Sequence, residues 1–197
     1  ASGSLGRAID RLALAHGLKV LAATPGLRLS VNMSPLSMGD EEWLDILMAA
    51  GRNNRDACCR LIIEITEDAA MQNADLTLDF MAQMRQSGCA FALDDFGAGA
   101  TSFKYFRDFR FDVVKIDGAF VRGVSEARDS QVLVECLAAV ARHFEMLTVA
   151  EQVETEADAA WLRTVGIDAL QGWLYGKPSA VPAMPPRDAD ADRRTAC

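Results

Sequence analysis

The chain has 197 residues, 50% of them apolar, which is enough for one domain with a sizeable core and excludes wholesale disorder. Its 28 acidic residues outweigh 20 basic ones, for a formal charge of −8. That balance excludes nonspecific binding to a nucleic-acid polymer through a basic face, but not one anionic small molecule offset by a metal or a local cation. With only His16 and His143, multi-histidine zinc sites and HExxH chemistry are excluded. Five cysteines (Cys58, Cys59, Cys89, Cys136, Cys197) show no CxxC spacing and an odd count, which fits a reduced, cytoplasmic compartment. No apolar run approaches the roughly 18 residues of a membrane span, and no signal peptide is expected.

In chain order, an amphipathic helix at 4–16 precedes a first strand at 27–34 (LRLSVNMS). Asp40 caps a helix with Trp43, Ile46 and Leu47 facing inward, followed by a strand at 61–67 (LIIEITE). Asn73 caps the next helix, with Leu76, Phe80, Met81 and Met84 on one face and Gly88 as its stop. Strands at 90–96 (AFALDDF) and 113–117 (VVKID) follow. The helix at 130–144 has Leu133, Leu137 and Val140 as its expected buried stripe. A strand at 147–153 (LTVAEQV), a helix opened by Thr155 and Asp158 and stopped at Gly166, and a strand at 169–174 (ALQGWL) complete the order.

Near-continuous apolar strands alternating with helices indicate a parallel sheet. The rhythm is that of a TIM-like (β/α) barrel, incomplete at its N-terminus, with about six of eight strands over residues 1–180. An open doubly wound sheet is the alternative, but no glycine-rich phosphate loop follows any strand. Residues 181–197 read as a flexible tail.

Polar residues gather at the strand ends. Asn32, Glu64, Asp94, Asp95, Lys115, Asp117, Glu151 and Gln171 lie near the C-terminal ends of their strands, which in a parallel barrel meet at one rim. Each alone is explained as a helix cap or a snorkelling lysine; a polar end on all six strands favours a shared site. Carboxylates and an amide without imidazole or thiolate form a hard oxygen set, suited to Mg²⁺, Mn²⁺ or Ca²⁺. Asp94 and Asp95 repel each other unless a cation lies nearby, and although alternation points them to opposite faces, both can reach a metal pair at a strand end. Two cations about 3.5–4 Å apart clamp a phosphoryl group and activate water. Lys115 then offers charge to a phosphate oxygen or positions the water, and Glu151 is either a base or the structural partner of Lys115. Gly97 and Gly99 allow either a mobile loop or a tight turn. Glu67 can hold that loop by accepting its backbone N–H groups, and Glu154 can do the same after Glu151.

VNMS (31–34), EITE (64–67), DDFGAG (94–99), KID (115–117), AEQVE (150–154) and QG (171–172) occur in this order. Together they resemble the EAL-domain family of bacterial phosphodiesterases that cut cyclic di-GMP to pGpG. The resemblance implies Mg²⁺ or Mn²⁺, two per site, with Asn32, Glu64 and Asp94 as ligands and Asp95 serving the second metal. It implies that Lys115 orders the catalytic water, that Glu151 is a metal-linked or general-base glutamate, and that Gln171 helps hold the water. Glu67 matches the anchor of the DFG-containing loop; Asp117 and Glu154 fall on further acidic motif positions. It also implies cyclic di-GMP as ligand, a homodimer as one assembly, and an upstream sensory or cyclase domain. Two departures stand out. The Glu-Ala-Leu tripeptide of the family's first strand, which supplies a metal ligand, does not occur here, and Gln152 replaces the usual glycine. The first leaves a non-hydrolytic receptor as the rival reading and implies little turnover by this chain alone. A Schiff-base aldolase using Lys115 explains the barrel but not the acidic cluster.

Overall fold

The computed structural model describes residues 2–98 and 106–179. Gly99 and the expected tail at 181–197 lie outside the described residues. Six strands, β1 (Leu29–Asn32), β2 (Leu61–Thr66), β3 (Ala90–Phe96), β4 (Val113–Ile116), β5 (Leu147–Ala150) and β6 (Ala169–Leu170), form one sheet in chain order. Every pairing is parallel. The sheet curls into part of a (β/α) barrel, with helices packed on its outer face. β3 has its expected bounds, and the other strands are shorter than the sequence suggests, mostly at their polar C-terminal ends.

The outer face makes the core. Ile63, Ile65, Phe91, Leu93, Val114 and Ile116 are buried there, while the residues between them, Glu64, Asp94 and Lys115, point to the concave side. The first helix, α1 (Ser2–Ala23), runs seven residues beyond the expected 4–16 end. It continues through Gly17 because a Cβ there would stand only 3.1 Å from Val31 Cγ2, so glycine lets the helix lie close on β1. Arg60 closes its C-terminal end by donating to the carbonyls of Leu21, Thr24 and Leu27 at 2.8, 3.0 and 2.8 Å.

The expected caps on three helices form. Asp40 accepts from Trp43 N–H before α2 (Glu41–Asn53). The short helices α3 (Arg55–Cys59) and α4 (Glu67–Gln72) flank β2. Asn73 caps α5 (Ala74–Met84), and the turn after it ends on Gly88 at φ +91°. After β3 come α6 (Phe106–Phe109), then α7 (Gly118–Val121) beyond β4, then α8 (Arg128–His143). Thr155 caps α9 (Glu156–Val165), which Gly166 ends at φ +83°.

Two burial expectations are corrected. Leu133 is 45% exposed, and the stripe of α8 that meets the sheet is Val134, Leu137, Ala138 and Ala141. Small alanines bring that helix close to the sheet, so the face with the larger side chains is not the face that packs. Leu76 is likewise exposed, standing on the first turn of α5 beyond the reach of the core.

Candidate active site

A break in the β3–β4 register builds the centre of the rim. Leu93 pairs with Val114 and Phe96 with Ile116, so Asp94 and Asp95 together stand opposite the single Lys115. This is a β-bulge, and Asp95 takes the left-handed conformation (φ +55°) that it requires. The bulge resolves the alternation problem of adjacent aspartates: both reach the rim, and Phe96 returns to the core at 0% exposure.

Lys115 is buried among carboxylates. Its Nζ lies 2.8 Å from Glu64 Oε2, 2.8 Å from Asp94 Oδ1 and 2.6 Å from Glu151 Oε1. An ammonium has three N–H donors, and the three carboxylates take all of them. One side chain thereby braces β2, β3, β4 and the turn after β5. Burial works against the Lys115 charge, but the hydrogen bonds to Asp94, Glu151 and Glu64 outweigh it and raise its pKa above the ordinary lysine value. These carboxylates therefore hold Lys115 as an ammonium.

The acids around it feel the opposite strain. Burial raises the Glu151 pKa, Lys115 pulls it back, and the charges of Asp94 and Glu64 add to the rise. Asp95 is raised by burial and then by Asp94 and Asp117. One carboxylate oxygen each from Asp94, Asp95 and Glu151 lies within 4.8 Å of the others. Among the described residues, four carboxylates share a single ammonium, so this cluster carries a surplus of negative charge. An all-oxygen set of this density fits a hard divalent cation.

Asn32 stands in register with Glu64 across β1 and β2, and its side chain makes no hydrogen bond among the described residues. Glu67 is 2% exposed, and its Oε2 accepts from Gly97 N–H at 3.1 Å. Gly97 has φ +95°, and a Cβ there would lie 2.9 Å from the Phe120 ring, so glycine is required on both counts. Asp117 caps α7 by accepting from Ala119 N–H at 2.6 Å, and with Glu67 and Asp95 it lines a 270 Å³ acidic hollow. Gln171 sits at the mouth of a larger cavity that Glu151 and Glu154 also line; Glu154 does not join the carboxylate cluster.

Two contributors were not singled out in the sequence. Gly172 lets the β6 turn lie on the β5 turn, since a Cβ there would stand 2.2 Å from the Val153 carbonyl oxygen. Its only signal was its place after Gln171. Arg122 also lines the larger cavity; as one of many exposed arginines it carried no signal.

Comparison with known proteins bears on the family and the fold. The family model described as the EAL domain matches residues 1–178. The chain belongs to the EAL-domain family. A Pseudomonas aeruginosa relative named cyclic di-GMP phosphodiesterase NbdA is 31% identical over 164 residues, 83% of this chain and 21% of that protein. Cyclic di-GMP phosphodiesterase PdeF of Escherichia coli is 33% identical over 180 residues, 88% of this chain and 24% of that one. The chain thus spans about a fifth to a quarter of the length of these curated relatives. Among solved structures, the PaMucR phosphodiesterase in complex with c-di-GMP superposes with a TM-score of 0.77 at 30% identity, covering 89% of this chain and 71% of that one. Klebsiella pneumoniae BlrP1, solved with manganese and cyclic di-GMP, gives a TM-score of 0.76 at 28% identity, covering 89% of this chain and 45% of that one. No described helix is long and apolar enough to cross a membrane.

Proposed function

We propose that this EAL domain, spanning residues 1–180, acts on cyclic di-GMP as a divalent-metal-dependent phosphodiesterase that yields pGpG. The observation that carries the proposal is the Lys115 knot with its surplus of carboxylates, set at the one rim where all six strand ends meet. Asn32, Glu64, Asp94, Asp95 and Glu151 are the residues to hold Mg²⁺ or Mn²⁺, two ions per site. Bound there, such ions lower the pKa of water and neutralise a phosphodiester.

The chain's own residues supply the rest. Lys115 keeps Glu64, Asp94 and Glu151 converged and contributes a fixed positive charge beside them. To orient a water, Lys115 would turn one of its N–H groups from a carboxylate toward the rim, while Glu64, Asp94 and Glu151 would be the residues to hold the cations. Glu151, with its raised pKa, is the proton acceptor of the set. Glu67 fixes the turn that carries Asp95 through Gly97 N–H. Gln171, at the edge of the cluster, is placed to hydrogen-bond water or a phosphate oxygen; Asp117 and Glu154 border the site. We place the domain in the cytoplasm of a larger protein with a sensory or cyclase domain, with a homodimer as its assembly.

A non-hydrolytic cyclic di-GMP receptor is the second reading. Calorimetry and product chromatography separate the two. The chain is expected to bind cyclic di-GMP only with Mn²⁺ or Mg²⁺, and to form pGpG when a strand bearing the missing glutamate is supplied. Metal-independent binding with no pGpG under either condition would establish a receptor instead; no binding at saturating Mn²⁺ would overturn both.

A further inference from the structure

Two turns beside the carboxylate cluster are joined in a way the strand ladder does not require. The turn after β4 carries Asp117, whose Oδ1 accepts from Ala119 N–H at 2.6 Å. The turn after β5 carries Glu151, 2.6 Å from Lys115 Nζ. Glu151 N–H donates to the Ile116 carbonyl at 3.1 Å, which extends the β4–β5 ladder to the rim.

Gln152 then redirects the chain. Glu151 faces the cluster, whereas Val153, two residues on, is buried in the core and donates its N–H to the Gln171 carbonyl at 3.0 Å. Strict alternation would put Glu151 and Val153 on one face; Gln152, at φ +53°, breaks it. Few residues other than glycine hold that conformation, and the family usually has glycine at this place.

Gly118, the first residue of α7, shows what the glutamine does there. Its own backbone is one that any residue adopts, so the helix does not demand glycine. A Cβ at 118 would stand 2.3, 2.5 and 2.7 Å from Cδ, Oε1 and Cβ of Gln152. Rotating the glutamine relieves the first two contacts. The third remains, because the Gln152 Cβ is fixed to the backbone and moves only with the turn. The space left by the missing side chain at 118 is thus filled from 152, and an exposed glutamine lies pressed on the neighbouring turn instead of ranging through solvent.

We propose that Gln152, seated on Gly118, is a positioning residue that straps the β5 turn to the β4 turn and so holds Glu151 where it receives the cation, a reading that rests on the proposed function above. With glycine at 152 the turn has more backbone freedom to lose when Glu151 is ligated, worth a factor of about three in affinity. A side chain at 118 acts differently: it displaces the turn, and Glu151 with it.

The test titrates Mn²⁺ calorimetrically into the 197-residue chain and its variants, and measures in EDTA the protection of the Glu151 and Val153 amides against hydrogen exchange. Gln152→Gly is expected to weaken Mn²⁺ about threefold and to lower the protection of both amides. Its melting temperature should be no lower than that of wild type, because glycine relieves the left-handed backbone; a merely structural role would lower the melting temperature and leave the affinity alone. Gly118→Ala is expected to weaken Mn²⁺ about tenfold. Combined with Gln152→Gly it should cost nothing further, leaving the double variant at about threefold rather than the roughly thirtyfold of independent sites. Gln152→Met keeps the length of the side chain and is expected to match wild type in both measurements. Wild-type Mn²⁺ affinity in Gln152→Gly, a double variant near the independent value, or Gln152→Met as weak as Gln152→Gly would each overturn the strap. Should Gly118→Ala fail to fold, the two single variants at 152 decide the matter. A wild-type chain that binds no Mn²⁺ would remove the proposed function, and the exchange data in EDTA then judge the strap by themselves: amide protection unchanged in Gln152→Gly overturns it, and lowered protection upholds it.

Discussion

Replacing Lys115 with methionine removes the cation that, among the described residues, pairs with a nest of three buried carboxylates. The side chains of Glu64, Asp94 and Glu151 are 8, 14 and 12% exposed, so water does little to screen them. Breaking a buried ion pair by deleting one partner costs about 3–5 kcal/mol, because the remaining charge stays desolvated. For a chain of this size that corresponds to a fall of about 6–20 °C in melting temperature. The sign of the pH dependence follows from the acids. Burial already raises the Glu151 pKa and Lys115 pulls it back, so without Lys115 the rise is larger, the folded state binds more protons than the unfolded one, and the loss grows as pH increases from 5 to 7.5. Wild type behaves differently: the raised Lys115 pKa gives stability that is present below the ordinary lysine value and lost only as pH rises through the higher folded value. Mn²⁺ should return part of the loss, about 2.7 kcal/mol at a hundredfold excess over Kd, by replacing the missing charge. Thermal melts of both proteins in EDTA and in Mn²⁺, at pH 5 and 7.5, measure all of this. A variant as stable as wild type in EDTA at pH 7.5, or a loss of equal size at both pH values, would refute the reasoning.

Asp94→Asn removes a charged ligand and the charge on one Lys115 partner; Mn²⁺ affinity by calorimetry is expected to fall at least about tenfold, and an unchanged value would take Asp94 out of the site. Gly172→Ala forces a Cβ into the Val153 backbone and should cost at least about 3 kcal/mol in urea denaturation. Gly123→Ala, at φ +71° with open space around it, should cost only about 1 kcal/mol; equal losses would contradict the close approach of the β5 and β6 turns. Asp158 is nearly fully buried, yet hydrogen bonds from Ser125 N–H, Thr155 Oγ1 and Gly123 N–H overcome the effect of burial and hold its pKa below the usual aspartate value. Its contribution is therefore present above pH about 4 and lost as pH falls through the lower folded value. Asp158→Asn should lower stability by about 1.5–3 kcal/mol at pH 7, with the gap to wild type closing below pH 4 in acid denaturation; a gap that persists at pH 2 would mean the loss is not one of charge.

The order of strands and helices, and the polar end of each strand, could be read from the chain because they are local matters. Apolar runs such as LIIEI and VVKI declare buried parallel strands, Asp40, Asn73 and Thr155 cap the helices that follow them, and a parallel sheet in chain order carries every strand end to the same rim. Which face of a helix is buried was legible only in part. Hydrophobicity favours Leu133 over Ala138, but the sheet accepts the helix by its small residues.

The site itself needed the third dimension. Alternation along β3 predicts Asp94 and Asp95 on opposite faces, and only the bulge against Lys115, with Asp95 at positive φ, turns both to the rim. Nor could spacing show that Lys115 meets Glu64, 51 residues away, as well as Asp94 and Glu151. The same holds for Gly172, whose missing Cβ matters only because Val153 lies against it. Residue type and period determine what each segment becomes and where its polar end falls. Contacts between strands far apart in sequence decide which charges share one volume, because desolvation and Coulomb energy depend on distance in space and not along the chain.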